Sequence, residues 1–203
     1  MHLQLRTSRP EDVPHMVETY FDAFSEDEIS RRFSPRGTKS AYDFWTSSLS
    51  DEVLSEHSHF LSVWDTSTTF ETFVGFAKWV VPGAPSEPLP KLEDWPQEGD
   101  PEFAAEFFAC LEEMHSNAMG ERPHWYLEML AVKKQFQGKG AASLMLKYGV
   151  AKADEDGVES YLDASPLAKP IYERYGFRVV HTETFLNGRY SECAMLRDAM
   201  GGN

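Results

Sequence analysis

The clearest chemistry in this 203-residue chain lies where an apolar run gives way to small residues. Residues 127–132, LEMLAV, read as a strand end; the polar KKQFQ follows, and then Gly138, Lys139, Gly140, Ala141, Ala142 and Ser143 open a helix running to about Asp156. The first N–H groups of a helix find no acceptor inside it, and the helix dipole adds partial positive charge there. With side chains this small, the turn offers backbone to an anion, and a pyrophosphate would suit it. Each charge-assisted hydrogen bond contributes roughly 1.5–3 kcal/mol. Five of the nine lysines (Lys133, Lys134, Lys139, Lys147, Lys152) fall in this window, a local positive patch on an acidic chain. Glycines at a strand-to-helix turn also serve the turn alone, so the spacing by itself leaves both readings open. The P-loop spacing is absent, as are the third glycine of a dinucleotide fingerprint and its acidic ribose partner, which argues against both.

Other reactive side chains are sparse. Cys110 and Cys193 are too few for a disulfide framework or a four-cysteine zinc site, and they read as reduced, buried thiols inside a cell. His57 and His59 lack a paired carboxylate or thiol at ligand spacing, so no metal is expected. His124 and Trp125 start the strand before the small-residue turn and read as packing residues.

The elements that must hold this turn can be read from periodicity. Leu3 and Leu5 mark a short strand, and Ser8 with Glu11 has capping-box spacing for a helix carrying Val13, Met16, Val17, Tyr20, Phe21 and Phe24 on one stripe. A second helix is expected within residues 38–53. The runs 60–64 and 70–81 suggest a hairpin across DTSTT. Residues 82–123 differ: six of the 12 prolines fall between Pro82 and Pro101, and ten acidic side chains face only Lys91 and Arg122. This stretch reads as an insertion in one domain spanning residues 1–203. It is irregular at first, then helical from Asp100 as N-cap and Pro101, through Phe103, Phe107, Cys110, Leu111 and Met114. Ordinarily it would be a solvated surface; the sharper reading makes Trp95, Phe103 and Phe107 one wall of a substrate site, with carboxylates nearby attracting a cation. Beyond it come a strand (124–132), a helix (140–156) capped by Gly157, a strand (160–163), a short helix, and strands 177–184 and 191–196 joined through Asn187-Gly188. The fold class is α/β (α+β), with a mixed, mostly antiparallel sheet flanked by helices.

Composition bounds the partners. A net charge of −14 opposes binding to nucleic acid or an anionic membrane and suits a cationic partner. No stretch approaches the roughly 20 apolar residues of a membrane helix, and the N-terminus does not resemble a secretory signal, so a cytoplasmic protein is expected.

Two ordered motifs resemble the GNAT superfamily of acetyl-CoA-dependent N-acetyltransferases. Its central motif is Gln or Arg, two residues, Gly, one residue, then Gly or Ala; Gln137, Gly140 and Ala142 match it. The overlapping frame of Gln135, Gly138 and Gly140 also fits, but the family's usual distance from the strand-ending Val132 favours Gln137. The second motif is Tyr161-Leu162-Asp163-Ala164-Ser165, a short helix, and IYERYGF, with Tyr172 ahead of Gly176-Phe177. The resemblance covers about residues 124–185 firmly and the earlier elements loosely, with residues 82–123 outside the common core.

This resemblance implies that acetyl-CoA is the co-substrate. Its pantetheine arm would pair with Leu130, Ala131 and Val132, and N–H groups of Gln137, Gly138, Lys139, Gly140, Ala141, Ala142 and Ser143 would hold the pyrophosphate. Tyr172 would protonate the leaving thiolate, an N–H near Leu130 would meet the oxyanion, and Ser165 would make a polar cofactor contact. An amine of pKa about 10.4 needs about 4.6 kcal/mol to lose its proton at pH 7, and a nearby carboxylate helps by attracting the cation and accepting that proton, directly or through water. Glu128, four residues before Val132 and on one strand face with Tyr126, stands where relatives face the acceptor cleft. Its structural alternative is an ion-paired glutamate; that of Tyr172 is a packed ring. The expected function is acetyl transfer to a primary amine of a small molecule. A protein or peptide acetyltransferase and a non-catalytic acyl-CoA module remain open, as do monomer and homodimer.

Overall fold

The strand patterns assemble into one seven-stranded sheet in the order β1-β2-β3-β4-β5-β7-β6. A computed structural model describes residues 1–200. The strands are β1 (Leu3–Thr7), β2 (Ser58–Asp65), β3 (Thr72–Val80), β4 (His124–Val132), β5 (Glu159–Ala164), β6 (Arg178–Phe185) and β7 (Tyr190–Arg197). All neighbours are antiparallel except β4 and β5. The mixed, mostly antiparallel α/β fold read from the sequence is therefore present.

Six helices cover the sheet: α1 (Val13–Ala23), α2 (Glu28–Phe33), α3 (Lys39–Glu52), α4 (Pro101–Met119), α5 (Ala141–Asp156) and α6 (Lys169–Glu173). Two large apolar clusters divide them. One joins Val13, Tyr20, Trp45 and Phe107 from the helices to Phe76 and Ala131 of the sheet. The other, on the opposite face, joins Met145 and Leu146 of α5 and Tyr172 of α6 to Trp79, Leu127, Val132 and Leu162.

The aim of α5 is fixed by a close contact. Gly149 lies on the ring of Trp79, where a Cβ would come within 2.0 Å of a ring carbon, and Trp79 Nε1 donates to Met145 O at 3.2 Å. The helix thus lies flat on the sheet with its N-terminus at the end of β4.

Two local expectations change. Ser8 and Glu11 do not form a capping box: Arg9 N donates to Asp12 Oδ2 at 2.9 Å across a 3₁₀ turn, Pro10–Asp12. Ser8 N is instead drawn to Phe60 O at 2.8 Å as β1 leaves the sheet, and its hydroxyl is buried without a partner. The short α2 carried too few turns to show a period; Asp27 caps it by accepting from Ser30 N at 2.7 Å.

Within residues 82–123, regular structure is confined to a 3₁₀ turn, Leu92–Asp94, and α4. Asp100 Oδ1 accepts from Phe103 N at 3.1 Å, and Arg32 reaches Asp100 at 2.8 Å, tying the start of α4 to α2. Trp95 is 3% exposed and stacks on Phe108. Phe103 and Phe107 are also buried, so all three rings extend the core, and burial of so much aromatic area explains why an acidic, proline-rich segment stays attached.

Candidate active site

The site grows from a defect in the sheet. Pairing of β3 with β4 slips between Lys78–Met129 and Trp79–Leu127, leaving Glu128 as an extra residue in β4. Such a bulge sharpens twist and reverses alternation beyond it. Leu127 packs on the α5 face, but so do Leu130 and Val132, while Met129 and Ala131 turn to the α1 and α3 face. Strict alternation would have assigned these residues the other way round. β4 and β5 pair only from His124–Glu159 to Leu127–Leu162 and then part, so the backbone of Leu130, Ala131 and Val132 is open on its β5 side while its other edge is held by β3. An extended chain could enter this gap as a strand.

At the mouth of the gap, the connection to α5 is tied down by its own side chain: Gln137 Nε2 donates to Val132 O at 3.1 Å. Lys133 N reaches Val74 O at 2.9 Å, and Lys134 N reaches Asp22 Oδ2 at 2.7 Å. Gly138 (φ 72°) and Gly140 (φ 94°) adopt left-handed backbone, which other residues enter with strain. Gly140 is the N-cap, and the N–H groups of Ala141, Ala142 and Ser143 have no acceptor among the described residues. The Ser143 hydroxyl is bonded to that of Tyr175, leaving its N–H for an anion. Of the five lysines nearby, Lys134 is paired with Glu26 and Lys152 with Glu155, so the positive patch is smaller than the sequence suggested.

Tyr172 packs its ring near Phe177, 6.2 Å between centroids, on the α5 side of the sheet. Its hydroxyl has no bonding partner among the described residues, yet it is not one of the fully enclosed unpaired atoms, so it keeps an opening to solvent. Burial, with a smaller contribution from Glu192, pushes this phenol well above its ordinary range, and it holds its proton at neutral pH. Ser165 accepts at its carbonyl from Ala168 N and Lys169 N, at 3.1 and 3.0 Å, in the turn entering α6.

The carboxylates lie on the other face. Glu128 Oε1 binds Lys78 Nζ at 2.8 Å, and Lys78 also binds Glu52 at 2.7 Å. Lys78 is 4% exposed; burial alone would discharge it, but the two carboxylates outweigh that and hold it above its usual value. Glu128 has a side chain 36% exposed, open to solvent but ringed by protein, and desolvation keeps its carboxyl above the usual range despite Lys78. The sequence missed this triad, although a lone lysine in the apolar run TFVGFAKWV of β3 was a signal. On the opposite side of the gap, Asp163 accepts from Tyr161 Oη at 2.7 Å and Tyr126 Oη at 3.3 Å. Glu192 of β7 is 6% exposed, with Oε2 unpartnered.

His59 is bonded to Tyr148 Oη at 2.6 Å, and His124 to His115 at 2.6 Å. Among the described residues no group of three His, Cys, Asp or Glu could hold a metal ion. Burial first, then the carboxylates of Glu183 and Glu113, raise the Cys110 thiol, which disfavours a nucleophilic thiolate. No helix of the described residues is long and apolar enough to cross a membrane.

The strand pair parts above a bulge, beside a helix start with unpaired N–H groups, an arrangement with room for an extended, anion-bearing molecule. The family described as acetyltransferase (GNAT) domain matches residues 108–190. An uncharacterized N-acetyltransferase of Schizosaccharomyces pombe is 28% identical over 123 residues, covering 52% of this chain and 47% of that protein; the chain thus spans about half the length of this curated relative. Three solved structures share the fold. A Corynebacterium glutamicum protein described as histone acetyltransferase HPA2 and related acetyltransferase has TM-score 0.68 and 20% identity over 100% of this chain and 99% of that one. The C-terminal condensation domain of Ebony, solved with β-alanyl-dopamine, has TM-score 0.72 and 14% identity over 98% and 100%. The PaiA N-acetyltransferase of Thermoplasma acidophilum, solved with coenzyme A, has TM-score 0.56 and 13% identity over 98% and 99%. Residues 108–190 are thus similar to the GNAT acetyltransferase domain, and the chain shares its fold with these structures.

Proposed function

We propose that this protein transfers acetyl from acetyl-CoA to a primary amine of a small molecule by direct attack in a ternary complex. The observation that carries this reading is the continuous path from the open edge at Leu130–Val132 to the free N–H groups at Ala141–Ser143. The residues fit the cofactor's parts: an extended arm for the strand edge, a diphosphate for the helix start. Its thioester supplies the activated acetyl group. Gln137, Gly138, Lys139 and Gly140 form the loop over the diphosphate, and the N–H near Leu130 serves the oxyanion.

The amine first gives its proton to a carboxylate on the acceptor face. Its nitrogen lone pair then bonds to the thioester carbon; the C–S bond breaks, and the thiolate takes the proton of Tyr172. The proton leaving the new amide nitrogen restores the phenol, directly or through water. A small acceptor is favoured because α4 packs over β5, β6 and β7 on this face, where a peptide enzyme needs an open groove. The small amine-derived ligand of the Ebony domain agrees with that choice.

Calorimetric titration with acetyl-CoA tests the reading: saturable binding is expected, and its absence removes it. Tyr172→Phe should lower kcat by roughly 10²-fold, the usual scale of general acid catalysis, with acetyl-CoA affinity unchanged. An unaltered kcat would withdraw the acid role. Mass spectrometry of a peptide array against an amine panel separates the two acceptor classes.

A further inference from the structure

The wall of the gap opposite Glu128 contains two carboxyl groups that the folded protein leaves without a cation. Glu192 is 6% exposed and its Oε2 is enclosed with no hydrogen-bond partner among the described residues. No cationic side chain acts on Asp163 or Glu192 among the described residues. Strand register fixes where they stand. Asp163 lies opposite Ala194 and Ala164 opposite Cys193, so Glu192 sits one step past the end of β5, on the same face as Asp163. Because Leu127 pairs with Leu162, Glu128 borders the gap at the level of Asp163. Tyr161 and Tyr126 orient Asp163 by donating to its two oxygens. The charge of Glu192 acts on both Asp163 and the phenol of Tyr172.

A carboxylate shut away from water without a partner is strongly disfavoured. The free protein meets this by protonation: burial pushes Asp163 up to about 7 and Glu192 up to about 8. The other groups facing the pair are Asp27, Glu183, Tyr190, Tyr126, Tyr161 and Cys110, and none brings positive charge.

We propose that Asp163 and Glu192 form the subsite that receives the acceptor's ammonium group and takes its proton, while Glu128 remains paired to Lys78. This inference rests on the acetyl-transfer reading and deepens it, since it specifies a cationic primary amine. As R–NH₃⁺ enters, the pair loses its own proton to solvent. One N–H bond of the ammonium then breaks, its proton passes to a carboxylate oxygen, and the freed lone pair attacks the thioester carbon. A carboxyl near 8 accepts from an amine near 10.4 far more readily than an ordinary glutamate near 4.3.

The test uses the full chain, acetyl-CoA and a panel of alkylamines, arylalkylamines and diamines, read by thiol release. Glu192→Gln and Asp163→Asn should each raise the amine KM at least about 10-fold, the scale of one charge-assisted hydrogen bond. Their acetyl-CoA dissociation constant, read by calorimetry, should stay unchanged. For the wild type, amine kcat/KM should rise with pH through a limb near 8 that Glu192→Gln abolishes. Two results overturn the inference: both variants keep the wild-type KM and limb, or the wild type binds acetyl-CoA yet acetylates no amine of the panel. Failure to bind acetyl-CoA at all would instead remove the transfer reading beneath it. If Glu192→Gln does not fold, Asp163→Asn alone decides on KM.

Discussion

On the β4 wall of the gap, Glu128 shares the buried Lys78 with Glu52; on the β5–β7 wall, Asp163 and Glu192 have only phenols and protons. Each carboxylate of the first wall has a cationic partner in the free protein, and neither of the second does. A paired carboxylate offers less to an incoming cation than an unpaired one, whereas an unpaired buried carboxyl lowers stability until a ligand arrives. Placing a destabilising group at a site is what binding chemistry often requires.

The largest consequence of this contrast is a stability loss with rising pH. Glu192 has its folded-state pKa raised to about 8, above its unfolded value near 4.5, so the folded chain binds the proton more tightly. Its contribution is fully present below pH 4.5 and is lost as pH rises through 8, at about 1.4 kcal/mol per pH unit. Between pH 5 and 8 this single group should remove about 4 kcal/mol. Glu192→Gln should abolish that part of the decline in urea melts across the range. A wild-type curve that is flat or rises there would erase the difference between the walls.

The other wall can be broken by Lys78→Met, which strands Glu52 and Glu128 beside each other. Removing one partner of a buried set typically destabilises by 3–5 kcal/mol; because both carboxylates reach solvent, about 3 kcal/mol is expected near pH 7. The loss should shrink toward pH 4 as the carboxyls protonate. A full-size loss that does not change with pH would mean that Lys78 acts through packing alone.

How much of this was legible beforehand depends on the range of the physics involved. The small-residue turn at Gly138–Ser143, the caps at Asp100 and Gly157, and the extents of β4 and α5 are local, and the sequence carries them in full. The bulge is not local: Lys78 and Trp79 of β3 meet β4 out of step, so strict alternation does not carry past Glu128. Asp163 was visible within a motif but without a role, and Glu192 looked like any acid in YSECAML, since its isolation comes from β5 and β7 lying side by side. Trp95, Phe103 and Phe107 looked available for a site because their segment is acidic and proline-rich; packing against Phe33, Phe108 and Phe185 uses them instead.

Glu128→Gln should have the smallest effect and decides which wall handles the proton. Lys78 would keep Glu52 at 2.7 Å, and the amide oxygen could still accept from it, so the fold should lose only about 1 kcal/mol. If the β5–β7 wall takes the amine's proton, the limb of the pH–rate profile near 8 stays in place and turnover falls only a few-fold, through weaker attraction of the cation. If Glu128 is the base, the same variant removes the limb, and Glu192→Gln does not. The two glutamines are thus opposite tests on one profile, and because neither side chain changes size, a shift in the limb reports charge at the gap and not a change in its shape.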